Sequence, residues 1–390
     1  MKSKAADVII WAVLCRPPDV RLDERNGTLI MSKIKVAVIG CGNIGRSGHI
    51  PAYISAGDEC EIKYFCDVMP EKAEKCVADY GCGTAVADYH EILRDPEVDA
   101  VSVCVPNYMH KTITVDALRA GKHVLCEKPA AACYEDALEM QKVQHETGLT
   151  LNIGVVTRFH KGVEAVKKLV SDGTLGDVYH VFISFRSFRD IPGIGGAFTT
   201  KACSGGGVLI DWGVHRVDQV MYVVGDPEPL SVSAATFGYL GKDIKNYHYR
   251  SMWSEDTRDE NGTYDVDESC TAVIRTSGPV ITMVGAWAQN IDENEQYIDF
   301  MGTKAGVRLN YCGGFKLYSY KDGEFVTEEP PLPEGNMFND EINAFLNSIK
   351  TGEKERSHID YAVKTSMILQ GAYDSSESGR EVLLDSYPKL

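Results

Sequence analysis

A β-rich run that leads directly into Gly40-Cys41-Gly42-Asn43-Ile44-Gly45 leaves this chain few folds to choose from. Residues 35–40 (KVAVIG) read as a strand, and the segment after the glycines reads as a helix to about residue 56. Glycines at the first, third and sixth positions of such a turn allow a sharp reversal, close approach of backbone to a pyrophosphate, and tight helix–strand packing. The helix start then presents free N–H groups, which favour an anion. Asp67 closes the next strand, residues 61–67 (EIKYFCD), at the distance where a carboxylate accepts from both hydroxyls of a ribose. It would repel a 2′-phosphate, and Val68-Met69-Pro70 offers no arginine in compensation, so the pattern favours NAD over NADP. The competing reading is that Asp67 only caps the following helix.

Strand and helix keep alternating downstream. Strands are expected at residues 84–87, 100–106 (AVSVCVP), 123–129 (HVLCEKP) and 149–156, with helices at 70–80, 107–120 and 134–146. The expected fold class is α/β: a doubly wound parallel sheet of Rossmann type over residues 31–156. Past Arg158 the texture changes. A helix at 163–170 precedes β-like runs at 178–188, 230–237, 269–276, 280–289, 297–301, 307–310 and 315–320, several joined by hairpin-like turns. Residues 157–390 therefore read as an α+β domain with a large, mostly antiparallel open sheet. Two final helices, 339–350 and 360–376, are expected to pack back on the first domain. The polar, aromatic stretch 241–268 fits a lid, an oligomer arm or disorder.

Composition excludes more than it identifies. Fifty-six acidic residues against 40 basic ones, a net charge of −16, give no electrostatic grip on nucleic acid or anionic lipid. Twelve cysteines without a C-x-x-C pair suit reduced thiols in a cytoplasmic setting better than a disulfide framework. Residues 1–30 hold a short apolar run and then a charged stretch expected to be disordered; Met31, just before a strong strand, is a credible start.

Three further clusters carry chemistry: Pro106-Asn107-x-x-His110, Glu127-Lys128-Pro129, and Gly205-Gly206-Gly207-x-x-x-Asp211-x-x-x-His215. Lys128 ends the fifth strand, at the carboxyl edge where open α/β sheets bind ligands. Asp211 and His215 lie four apart on an expected helix and share a face. Alcohol oxidation needs a base for the hydroxyl proton, and histidine suits that role, with Asp211 orienting it or binding a neighbouring hydroxyl. A surface ion pair, a metal site with Asp218 and a buried structural histidine remain open alternatives; no metal is expected.

Together with the glycine turn, these clusters resemble the glucose–fructose oxidoreductase/inositol dehydrogenase (Gfo/Idh/MocA) family, from about residue 34 to the C-terminus. The resemblance implies that Lys128 meets the substrate hydroxyl and that the bond into Pro129 is cis. It places Pro106 and Asn107 beside the nicotinamide ribose, Glu127 near the cofactor ribose and Arg158 near cofactor or substrate; His110 either joins the cofactor site or simply sits in the first helical turn. Gly40, Gly42, Asn43, Ile44, Gly45 and Asp67 would hold NAD, while Trp212 and Trp287 either wall a sugar ring or, as large aromatics more often do, belong to the core. The implied reaction moves hydride from a hydroxyl-bearing carbon of a sugar, glycoside or cyclitol to NAD. A looser resemblance to glucoside 3-oxidases points to a 3-keto product, with Tyr247, Tyr249 and Trp253 covering an aglycone. An NAD-dependent glycosidase and a non-catalytic dinucleotide sensor are the alternatives, though a sensor would be expected to lose Lys128 or His215. The expected partners are a small uncharged sugar and, through the open sheet, further copies of the chain.

Overall fold

The computed structural model describes residues 20–23, 28–31, 33–249 and 258–390. Strands β1 (Val20–Asp23) and β2 (Thr28–Met31) pair antiparallel as a sheet of their own. Over residues 20–23 this ladder replaces the disorder expected there: Val20 and Leu22 alternate with charged neighbours, as strand residues do. Most of the preceding extension lies outside the described residues.

Six parallel strands follow: β3 (Ile34–Ile39), β4 (Cys60–Cys66), β5 (Thr84–Val86), β6 (Ala100–Val103), β7 (His123–Glu127) and β8 (Leu151–Gly154). Parallel pairing requires crossovers, which α1 (Ile50–Ser55), α2 (Pro70–Tyr80), α3 (Tyr89–Arg94), α4 (Asn107–Arg119) and α5 (Tyr134–Thr147) contribute. All four residues of β6 are buried, as a strand covered on both faces must be. In the order β5-β4-β3-β6-β7-β8 the winding reverses at β3. Connections after β3 and β6 therefore diverge and open the crevice where such sheets bind ligands.

The helix after the glycine turn is not regular. A π turn over Gly45–His49 precedes α1, with the Ile50 N–H donating to Gly45 O. Pro51 has no N–H to give to Ser47, and the wider turn absorbs that mismatch.

After α6 (Lys161–Ser171) the second sheet begins with β9 (Val178–Arg186); α7 (Lys201–Ser204) and α8 (Val214–Val223) intervene. It continues through β10 (Pro229–Phe237), β11 (Ser269–Thr276), β12 (Val280–Ala286), β13 (Glu295–Gly302), β14 (Ala305–Asn310), β15 (Phe315–Lys321) and β16 (Glu324–Glu328). The chain closes with α9 (Met337–Thr351), α10 (Ile359–Ser378) and β17 (Val382–Leu383). Strand order is β16-β15-β14-β13-β9-β12-β11-β10-β17, and every pairing but β9 with β12 is antiparallel. Val181, Ile183 and Phe185 of β9 are fully buried on one face, while Tyr179, Tyr318 and Tyr320 are exposed. The final helices do reach the first sheet: α9 sets Phe338 against Gly48 of the π turn, and α10 lies along α5. No helix among the described residues is long and apolar enough to cross a membrane.

Candidate active site

Two of the three motif glycines answer to the chain itself. Gly40 sits at φ +99°, and a Cβ there would lie 2.2 Å from the Cys104 carbonyl oxygen. A Cβ on Gly45 would lie 2.4 Å from Gly40 O. Gly42 is different: nothing stands within 4 Å of where its Cβ would be. The open space beside it is what a pyrophosphate needs, so these residues fit a dinucleotide. Asp67 Oδ2 accepts from the Cys41 N–H and Oδ1 from the Met69 N–H, both at 2.9 Å. Those bonds fix the carboxylate at the lip of the turn and leave lone pairs for a ribose. Exposed Asn43 accepts the Ser47 hydroxyl at its carbonyl, and Ile44 is half-buried beside it.

Lys128 directly follows β7, and the peptide bond into Pro129 is cis. Its Nζ donates to Asp211 Oδ1 at 2.9 Å and to the Asp211 carbonyl at 3.2 Å. Asp211 lies in a second π turn, Leu209–Gly213, which runs straight into α8 and His215. The start of that turn is gripped by buried Asp267, which accepts the N–H groups of Gly207 and Leu209 and the hydroxyl of Tyr373. Among the described residues, neither Asp211 Oδ2 nor His215 Nδ1 has a hydrogen-bond partner, although both atoms are enclosed. Burial first, and then the positive charges of Lys128 and Arg216, push the His215 imidazole well below its ordinary pKa. At neutral pH it is an uncharged ring able to accept a proton.

Residues 34–155 match the family model of oxidoreductases with an NAD-binding Rossmann fold, and residues 163–308 match the GFO/IDH/MocA C-terminal domain. The chain belongs to the Gfo/Idh/MocA oxidoreductases. D-glucoside 3-dehydrogenase of Escherichia coli (strain K12) is 31% identical over 358 residues, spanning 90% of this chain and 98% of that one. The NADP(+) scyllo-inositol 2-dehydrogenase of Bacillus subtilis (strain 168) is 29% identical over 215 residues, 55% of this chain and 58% of that one. Among solved structures, levoglucosan dehydrogenase in complex with NADH and levoglucosan superposes with a TM-score of 0.78 at 20% identity, covering 90% and 99% of the two chains. The aldose–aldose oxidoreductase of Caulobacter crescentus gives 0.74 at 25% identity, with the same coverage. This Gfo/Idh/MocA chain is thus an oxidoreductase with an NAD-binding Rossmann domain, in a family that includes sugar and cyclitol dehydrogenases.

Several residues expected at the Gfo/Idh/MocA cofactor site do other work. His110 is buried with its ring nitrogens 2.8 Å from Pro129 O and 2.8 Å from Val105 O, so it braces the cis-proline segment. Asn107 donates its amide to Ser204 O at 2.8 Å, tying the turn after β6 to the glycine run, while Pro106 is exposed at that turn. Glu127 is buried between the His49 ring and the Lys128 N–H. Arg158 is fully enclosed: two guanidinium nitrogens hold Asp218 at 2.7 and 2.8 Å, which removes both residues from ligand or metal binding.

Trp287 is 0% exposed and belongs to the core, whereas Trp212, next to Asp211 in the chain, is half-buried. Tyr247 is buried too, its hydroxyl accepting the Ile191 N–H at 3.4 Å, and Tyr249 packs edge-on against it. Trp253 lies outside the described residues. Nor does the glycine run await a ligand: a Cβ on Gly205, Gly206 or Gly207 would collide with Ala132, Tyr373 or Asp267 respectively. Asp211 turns to Lys128, so the expectation that it orients His215 is not met. Asp267 and His49 were not singled out by the sequence; both act on partners far along the chain and carry no local motif.

Proposed function

We propose that this protein oxidises C3 of a glucosyl group, giving a 3-keto product and NADH. NAD, when bound in the cradle, supplies the hydride acceptor; the chain's residues do the rest. His215 takes the proton of the C3 hydroxyl as the C–H bond breaks, which leaves a carbonyl. The Lys128 ammonium donates to the same oxygen and stabilises its developing negative charge. Asp211 holds Lys128 through Oδ1 and offers Oδ2 to a neighbouring hydroxyl, which favours a ring polyol.

The observation that carries this reading is the pair of enclosed, unpartnered polar atoms, Asp211 Oδ2 and His215 Nδ1, beside a lysine at the carboxyl edge of the first sheet. A buried polar atom without a partner is uncommon, and a hydroxylated ligand would satisfy both. The choice of C3 rests on similarity to D-glucoside 3-dehydrogenase over nearly the whole of both chains. The test is to incubate the enzyme with NAD and glucose, inositol or 4-nitrophenyl glucoside, then locate the new carbonyl by NMR. A 3-keto glucoside is expected; a lactone from free glucose, activity on inositol alone, or hydrolysis without NADH would each refute it.

The open face of the second sheet, with Tyr318 and Tyr320, is proposed to pair with another copy of the chain. Light scattering that gives the monomer mass at working concentration would reject this.

A further inference from the structure

Behind the catalytic lysine runs a buried chain of polar groups that the hydride transfer does not use. His49, the last residue of the π turn after the glycines, places Nε2 2.8 Å from Glu127 Oε1. The other oxygen of Glu127 accepts the backbone N–H of Lys128 at 3.0 Å. On the far side of the ring, His49 Nδ1 lies 3.2 Å from Ser102 Oγ, which in turn lies 2.7 Å from the Tyr53 hydroxyl. His49 and Ser102 are both 0% exposed. Tyr53, Ser102, His49 and Glu127 thus form one continuous hydrogen-bonded chain, in which Nε2–H donates to the Glu127 carboxylate. Burial alone would raise the Glu127 carboxyl, but the bond from His49 and the charge of Lys128 outweigh it and keep the group ionised. The facing acid from α9, Glu341, has no such partners among the described residues, and burial pushes its carboxyl well above the usual range.

We infer that His49 is a positioning residue: it ties the dinucleotide-binding turn to the strand that leads into Lys128, so that cradle geometry and lysine aim are set together. Three elements meet on its ring: the π turn that His49 ends, β6 through Ser102, and β7 through Glu127. A displaced cradle therefore displaces the peptide from which Lys128 reaches Asp211. The inference rests on Lys128 acting as proposed above.

The test compares wild type with His49→Gln, His49→Leu, Ser102→Ala and Lys128→Ala. Turnover of 4-nitrophenyl glucoside is followed at saturating NAD, melting temperature is measured, and acylation of Lys128 by acetic anhydride is quantified by mass spectrometry. Misplacement of a reacting group by about 1 Å costs ~10²-fold in rate. His49→Leu should therefore lose kcat on that scale with little change in KM, and its Lys128 should acylate faster. His49→Gln, which keeps a donor near the Nε2 position, should recover most of both. A His49→Leu enzyme with unchanged kcat and unchanged acylation, or a glutamine variant no better than leucine, overturns the inference. Should His49→Leu fail to fold, Ser102→Ala is read in the same way, with a smaller kcat loss expected and wild-type behaviour counting against. Near-normal turnover in Lys128→Ala condemns the reading of the site instead, and the acylation data still decide the clamp.

Discussion

The dinucleotide cradle and the catalytic corner are built on opposite principles. The cradle is short-range: Gly40 to Asp67 supply its turn, its helix start and its acidic lip, and each requirement is visible within one βαβ unit. The corner is long-range: Lys128 from one sheet meets Asp211 and His215 from a π turn and helix, held from behind by Asp267. Local geometry dictates residue type in the first region, whereas assembly dictates it in the second. Their junction is the end of β7, where Glu127 bonds His49 of the cradle and the next residue, Lys128, reaches Asp211 of the corner.

The sharpest way to separate them is His215→Ala. Loss of a positioned base costs typically ~10²–10⁴-fold in turnover. The dissociation constant for NAD, measured by fluorescence titration, should stay put; a parallel loss of NAD binding would mean that the regions are not separable. The pH profile adds a sign. Because its pKa is depressed, His215 keeps its base form below the ordinary value of ~6.5 and loses it only as pH falls through the lower pKa. The acid limb of kcat should therefore lie below that value, and a limb at pH 7 or above would assign the base elsewhere.

Within the cradle, Gly42→Ala and Gly40→Ala divide ligand space from chain packing. The alanine at 42 meets no protein atom, so melting temperature should hold while NAD affinity drops about tenfold, equivalent to ~1.4 kcal/mol. The alanine at 40 meets a backbone carbonyl at positive φ and should lower the melting temperature itself. Equal thermal losses in the two variants would erase the distinction. A smaller effect is expected from Asp67→Ser with Val68→Arg, which should move preference from NAD toward NADP; tighter NADP binding by the unaltered protein would contradict the role given to Asp67.

The smallest effect tests a buried acid away from the chemistry. Buried Asp190 has an oxygen without a partner among the described residues, and burial pushes its carboxyl up to about 7. A raised folded-state pKa means that stability falls as pH rises from ~4 to about 7 and stays lower beyond. Asp190→Asn should raise the melting temperature at pH 8 and not at pH 4. A variant equally stable to wild type at both values would show that the carboxyl is solvated.

Much of the fold was legible because strand–helix alternation and the glycine spacing are local signals. The six-strand parallel sheet and the mostly antiparallel second sheet stand where they were expected. The short edge strands β16 and β17 escaped, since an edge strand buries little and shows weak alternation. Both π turns escaped as well. One follows from Pro51, and the other accompanies the Asp267 grip on Gly207 and Leu209, a contact made by a residue on a distant loop. The partners of the site residues were not legible. His110, Glu127 and Arg158 look like ligand-binding residues by type and position, yet their hydrogen bonds are satisfied inside the protein by groups that no spacing rule could pair with them.

The most direct measurement of the central claim follows a labelled hydrogen. The enzyme is given NAD and 4-nitrophenyl glucoside carrying deuterium at C3, and the reduced nucleotide is analysed by mass spectrometry, in wild type and in His215→Ala. In wild type, deuterium should appear in the NADH with a slowed rate; in the variant, transfer should collapse while NAD remains bound. Unlabelled NADH from the C3-labelled glucoside, or full transfer in His215→Ala, would contradict the assignment of reaction carbon or base.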